Sequence, residues 1–159
     1  MAIRTYLTLE EADALDAAVR KHNVRLRYIV REAIHDWMFD PTTGRDRPAP
    51  IEKEPGEPHR EISALIPDWY YGVLRWKSVG AGFHMRQAFR EAILRWLALD
   101  AEGKATGPTT EGDAAWSRRQ SVSPENYEAT MREFVEAHTA LNAIRQDWLK
   151  EHGNATRDS

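Results

Sequence analysis

The chain contains no cysteine. That excludes a disulfide framework, a thiolate nucleophile and a cysteine-ligated zinc site, and it fits a reducing interior. No apolar run approaches the roughly 20 residues of a membrane helix, and the opening Met1-Ala2-Ile3-Arg4-Thr5-Tyr6 is unlike a signal peptide. No glycine-rich phosphate loop follows a strand pattern. His22, His35, His59, His84, His138 and His152 are scattered without metal-ligand spacing. Glu133, Glu136 and His138 lie close together, but a solvated helix face explains them. The expectation is a cytoplasmic protein that is not an enzyme and needs no metal or cofactor. An excess of either sign of charge is also lacking, since the net value is only −3. Its distribution is uneven: residues 60–98 carry six basic and three acidic side chains, while the stretch from 99 onward is acidic.

What the chain does contain is a repeat. Arg31-Glu32-Ala33-Ile34-His35-Asp36-Trp37 returns 59 residues later as Arg90-Glu91-Ala92-Ile93-Leu94-Arg95-Trp96. At the same offset Ile3 matches Ile62, Leu15 matches Leu74 and Arg27 matches Arg86. Asn23 falls opposite Gly82, and both residue types tolerate the left-handed conformation that ends a helix. No gap is needed from position 3 to 38, so residues 2–38 and 61–98 are read as two copies of one unit.

In the first copy Ile3, Thr5 and Leu7 alternate with Ala2, Arg4 and Tyr6, a strand with one buried face. Thr8-Leu9-Glu10-Glu11 has the pattern of a capping box and starts a helix that stops at Asn23. A second helix follows, apolar at Leu26, Ile29, Val30, Ala33, Ile34 and Trp37, and Asp40-Pro41 ends it. A strand and a two-helix hairpin of this size bury too little to fold alone, so the unit needs its second copy. There Ile62, Ala64 and Ile66 face inward, Glu61, Ser63 and Leu65 face outward, and Pro67 leads into the next helix. That helix carries Trp69, Tyr70, Tyr71, Val73, Leu74 and Trp76, more than one face can bury.

Between the copies, residues 39–60 form a proline-rich linker that reaches up to roughly 70 Å when extended at about 3.3 Å per residue. Residues 99–122 read as a flexible linker, with mobility expected over 103–121 from its Gly, Thr, Ser and charged residues. Ser123-Pro124-Glu125 then opens a C-terminal helix over 123–151, whose seam is Tyr127, Met131, Phe134, His138, Leu141 and Trp148. It either packs on the repeats, self-associates or binds a protein partner.

The order strand, capped helix, turn with Asn or Gly, and helix with Arg-Glu-Ala-Ile closely resembles the ribbon–helix–helix superfamily of DNA-binding proteins (the Arc, MetJ and CopG type). The resemblance runs through Ile3-Arg4-Thr5-Tyr6-Leu7-Thr8, Glu10-Glu11-Ala12, Val24 and Arg31-Glu32-Ala33-Ile34, and again through Ile66-Pro67-Asp68, Gly82-Phe83 and Arg90-Glu91-Ala92-Ile93. It covers about half the chain and is similar to the tandem form of TraY-type plasmid proteins.

The resemblance implies a mainly α fold, with two short antiparallel strands and four helices as an intramolecular pseudo-dimer plus the extra C-terminal helix. It also implies double-stranded DNA as the partner. The ribbon would enter the major groove, with Ala2, Arg4, Tyr6, Glu61, Ser63 and Leu65 reading bases, and Arg4 the best guanine reader. The second helix of each copy would hold phosphate near its N-terminus, at Arg25 and Arg27 and at His84 and Arg86. Leu65 departs from the polar pattern, so unequal half-sites are expected. The expected role is a transcriptional repressor on nucleoid or plasmid DNA. The alternatives are an accessory factor of a relaxosome, or an antitoxin whose C-terminal helix covers another protein.

Overall fold

The computed structural model describes residues 1–40, 43–44, 58–80 and 82–119, with isolated positions between 132 and 151. Its elements are β1 (Ala2–Thr8), α1 (Leu9–His22), α2 (Leu26–Phe39), β2 (His59–Leu65), α3 (Asp68–Gly80), α4 (Met85–Ala101) and α5 (Asp113–Arg119). The described chain is thus mainly helical with one two-stranded sheet. The order strand–helix–helix occurs twice before α5.

Local chemistry explains each boundary. The Thr8 hydroxyl accepts the Glu11 amide at 3.2 Å, and the Glu11 carboxylate accepts the Thr8 amide at 2.9 Å, so two otherwise unpaired N–H groups are satisfied at the start of α1. Asn23 ends α1 with φ 52°, and Gly82 follows α3 with φ 79°. The same two bonds close each turn: Asn23 N to Arg20 O and Val24 N to Val19 O, then Gly82 N to Val79 O and Phe83 N to Ser78 O. These pairs differ by the repeat offset throughout.

β1 and β2 are antiparallel, with Ala2 opposite Leu65, Arg4 opposite Ser63 and Tyr6 opposite Glu61. Reciprocal bonds between Met1 and Ile66, at 2.9 and 3.0 Å, extend the ladder by one pair. Side chains alternate across the sheet. Ile3, Thr5 and Leu7 are buried from one strand and Ile62 and Ala64 from the other. Below the sheet, β1 lies against α4, β2 against α2, and α2 against α4. Each strand therefore packs on a helix from the other half of the chain. Ile29, Val30, Ile34, Trp37, Phe89, Ile93 and Trp96 fill the centre.

Two sequence expectations change. α4 runs to Ala101, past residue 98 where the second copy was bounded, and Asp100 on it is tied to Lys21 at 3.2 Å and to His22 at 2.9 Å. On α3 the excess of apolar residues is divided as expected: among the described residues Tyr70, Val73 and Leu74 are buried, and Trp76 and Val79 stay exposed. Residues 104–119, expected within a flexible linker over 99–122, form a strap laid across the helices and ending in α5. Within it Trp116 is 1% exposed. The Gly- and Thr-rich composition concealed what the backbone does here: its carbonyls receive buried donors, Trp96 Nε1 at Thr106 O and Arg31 at Thr109 O and Glu111 O. Among the expected C-terminal helix, the seam residues Tyr127, Met131, Phe134, Leu141 and Trp148 lie outside the described residues, as does most of the linker 39–60.

Candidate nucleic-acid interface

The outer face of the sheet collects the six residues singled out in the sequence. Strict alternation sends Ala2, Arg4, Glu61, Ser63 and Leu65 to the exposed side, with Tyr6 half-buried. The register sets them as three facing pairs. Arg4 is well exposed, and its Nε lies 3.9 Å from Glu61 Oε1, an exposed and weak pair that leaves the guanidinium free to turn toward a ligand. Leu65 is 69% exposed, an apolar side chain on a face otherwise mostly polar.

The other four candidates sit at two helix N-termini. Arg25 precedes α2 in extended conformation; the Tyr28 amide turns back to the Arg25 carbonyl at 3.1 Å, and among the described residues no side chain caps the amides of Leu26 and Arg27 before it. At α4 the Gln87 side chain accepts the His84 amide at 3.1 Å. Arg27 stands over the Tyr28 ring at 5.2 Å, and Arg86 stands over the Tyr6 ring at 5.6 Å. Thr5, fully buried in the ribbon, donates its hydroxyl to Arg86 O at 2.8 Å. That bond fixes the first turn of α4 to the sheet. Its counterpart at the repeat offset is Ala64, which has no hydroxyl, so the tie exists on one side only.

Sequence reasoning missed a set of residues behind these ends. Arg31 is 3% exposed, and Glu32 is fully buried. Their repeats, Arg90 and Glu91, show the simpler arrangement: Arg90 pairs with Glu11 at 2.7 Å, and Glu91 accepts Trp37 Nε1 at 3.0 Å. Around Arg31 and Glu32 the strap takes over. Asp113 pairs with Arg31 at 3.0 Å, and Trp116 Nε1 donates to Glu32 Oε1 at 2.5 Å. The Trp116 ring also covers the Arg31 guanidinium at 4.6 Å. Arg31 Nε and Glu32 Oε2 keep no hydrogen-bond partner among the described residues. The repetition of Arg-Glu was the available signal, because a recurring charged pair inside an apolar helix face points to a buried role.

Burial dominates the electrostatics of this region. It raises the Glu32 carboxyl above its usual range, opposed by the Trp116 hydrogen bond, and it raises Asp36, opposed by Arg95. It pushes His35 down to about 4. His35 is therefore neutral at pH 7, its Nδ1 paired at 2.8 Å with the Tyr70 hydroxyl, which burial keeps protonated. Among the described residues no cluster of His, Asp or Glu is arranged to hold a metal ion. No family model, no curated protein and no solved structure matches the chain.

Proposed function

We propose that the chain is a tandem ribbon–helix–helix protein that binds double-stranded DNA in a sequence-selective way, acting as a transcriptional repressor. The single observation that carries the reading is the strand register, which puts Arg4 opposite Ser63 on an exposed face flanked by two arginine-bearing helix ends. Two strands lie about 4.8 Å apart, and with side chains they suit a major groove about 12 Å wide. Arg4 is the side chain suited to a bidentate bond with guanine, and Ser63 can donate or accept beside it. Phosphates would meet the uncapped start of α2 and the guanidinium groups at both helix ends.

Because the paired positions differ in chemistry, the preferred site is not a palindrome. The test is a titration of labelled duplexes, starting with the DNA upstream of the coding region, at several salt concentrations. Arg4→Ala is expected to lower affinity for the best site by roughly tenfold, within the about 1–3 kcal/mol of a bidentate base contact, while barely changing affinity for unrelated duplex. Arg86→Ala is expected to weaken all sequences alike and flatten the salt slope by about one unit. Unchanged binding in both variants removes the ribbon as the reading element.

A further inference from the structure

We infer that the strap makes the two phosphate-facing helix ends unequal: Asp113, fixed in place by Arg31, stands beside Arg27 and competes with a phosphate for it, leaving Arg86 as the stronger contact. This rests on the DNA-binding reading above and concerns how that interface is biased.

The inequality begins with one residue in α3. Arg90 is neutralised by Glu11 from α1. At the repeat offset the position matching Glu11 is Tyr70, which has no carboxylate for Arg31. A buried guanidinium left without an anion is strongly unfavourable. The strap supplies the missing charge from outside the repeat. Thr109 O, Glu111 O and Asp113 Oδ1 accept from Arg31 at 3.1, 2.8 and 3.0 Å. Anchored in this way, Asp113 presents its other oxygen to Arg27 Nη2 at 3.5 Å. Glu111 lies alongside and pairs with Arg119 at 3.3 Å. Thr110 completes the cleft formed with Arg20, Asn23, Arg25 and Tyr28, so the strap borders the start of α2 directly.

A phosphate approaching Arg27 must share it with a fixed carboxylate and sit close to that like charge. Arg86 forms no ion pair among the described residues and is oriented by the Tyr6 ring. The buried need of Arg31 thus sets the behaviour of an exposed neighbour one helical turn away.

The experiment measures duplex affinity and salt slope for the full chain and for Arg27→Ala, Arg86→Ala, Asp113→Asn and the Asp113→Asn/Arg27→Ala pair. With the native strap, Arg86→Ala should lose roughly eight- to tenfold at 0.1 M salt, the effect of one phosphate contact, and Arg27→Ala less than about threefold. Asp113→Asn keeps an oxygen for Arg31 and should raise affinity several-fold, and in its presence Arg27→Ala should become as costly as Arg86→Ala. Equal losses from Arg27→Ala and Arg86→Ala with the native strap overturn the inference, and that comparison stands even if Asp113→Asn does not fold. Should Arg4→Ala still relax sequence preference in that case, the DNA-binding reading survives. Failure of the unmodified chain to bind any duplex overturns both.

Discussion

His35 carries the clearest pH consequence. Its folded value near 4 lies below the ordinary 6.5, so between those two values the unfolded chain binds the additional proton. The stabilising effect of a neutral His35 is complete above about pH 6.5 and is lost as the pH falls toward 4. Its share of the loss from pH 7 to pH 5 is about 2 kcal/mol. Glu32 and Asp36 run the other way, since raised carboxyl values favour the folded state as protons are taken up. The His35 contribution is therefore read as a difference. Urea midpoints of wild type and His35→Gln should converge between pH 7 and pH 5, and curves that remain parallel contradict a titrating His35. This group was not legible in the sequence. A histidine in an amphipathic helix gives no sign of a tyrosine from another helix or of a tryptophan some eighty residues on.

At the scale of elements, caps were readable and the strap was not. Thr8, Glu11, Asn23 and Gly82 act through bonds to nearby backbone, so the local sequence contains their whole cause. Thr8→Ala should cost about 1 kcal/mol. A β-branched residue at Asn23, which holds φ 52°, should cost about 1–2 kcal/mol, with glycine tolerated there. The strap instead owes its place to long-range partners: Arg31, Glu32 and Trp96. Its composition matches a linker because carbonyl oxygens, which every residue carries, make many of its bonds. Trp116→Ala should destabilise the whole fold by about 3–5 kcal/mol in thermal or denaturant unfolding, the range for a fully buried tryptophan. A loss below about 1 kcal/mol would mean that the strap rests on the surface only.

For the molecule as a whole, the repeat offset predicted which strands would meet, because a half-unit with one apolar strand face lacks a partner. The sequence reading placed all six outward residues of the ribbon on one face, and the register brings them together there. What it could not predict was the departure from symmetry, since Tyr70 for Glu11 and Ala64 for Thr5 become meaningful only once the opposing Arg31 and Arg86 are in place. Since β1 packs on α4 and β2 on α2, a peptide of residues 1–44 should show little helical circular dichroism alone and gain it when mixed with residues 58–119. A helical, protease-resistant 1–44 peptide would contradict this.

Both strands of the sheet belong to one polypeptide, and that changes how the protein responds to scarcity. A sheet assembled from separate chains dissolves when copies become few. Here one backbone joins both strands, so dilution does not separate them.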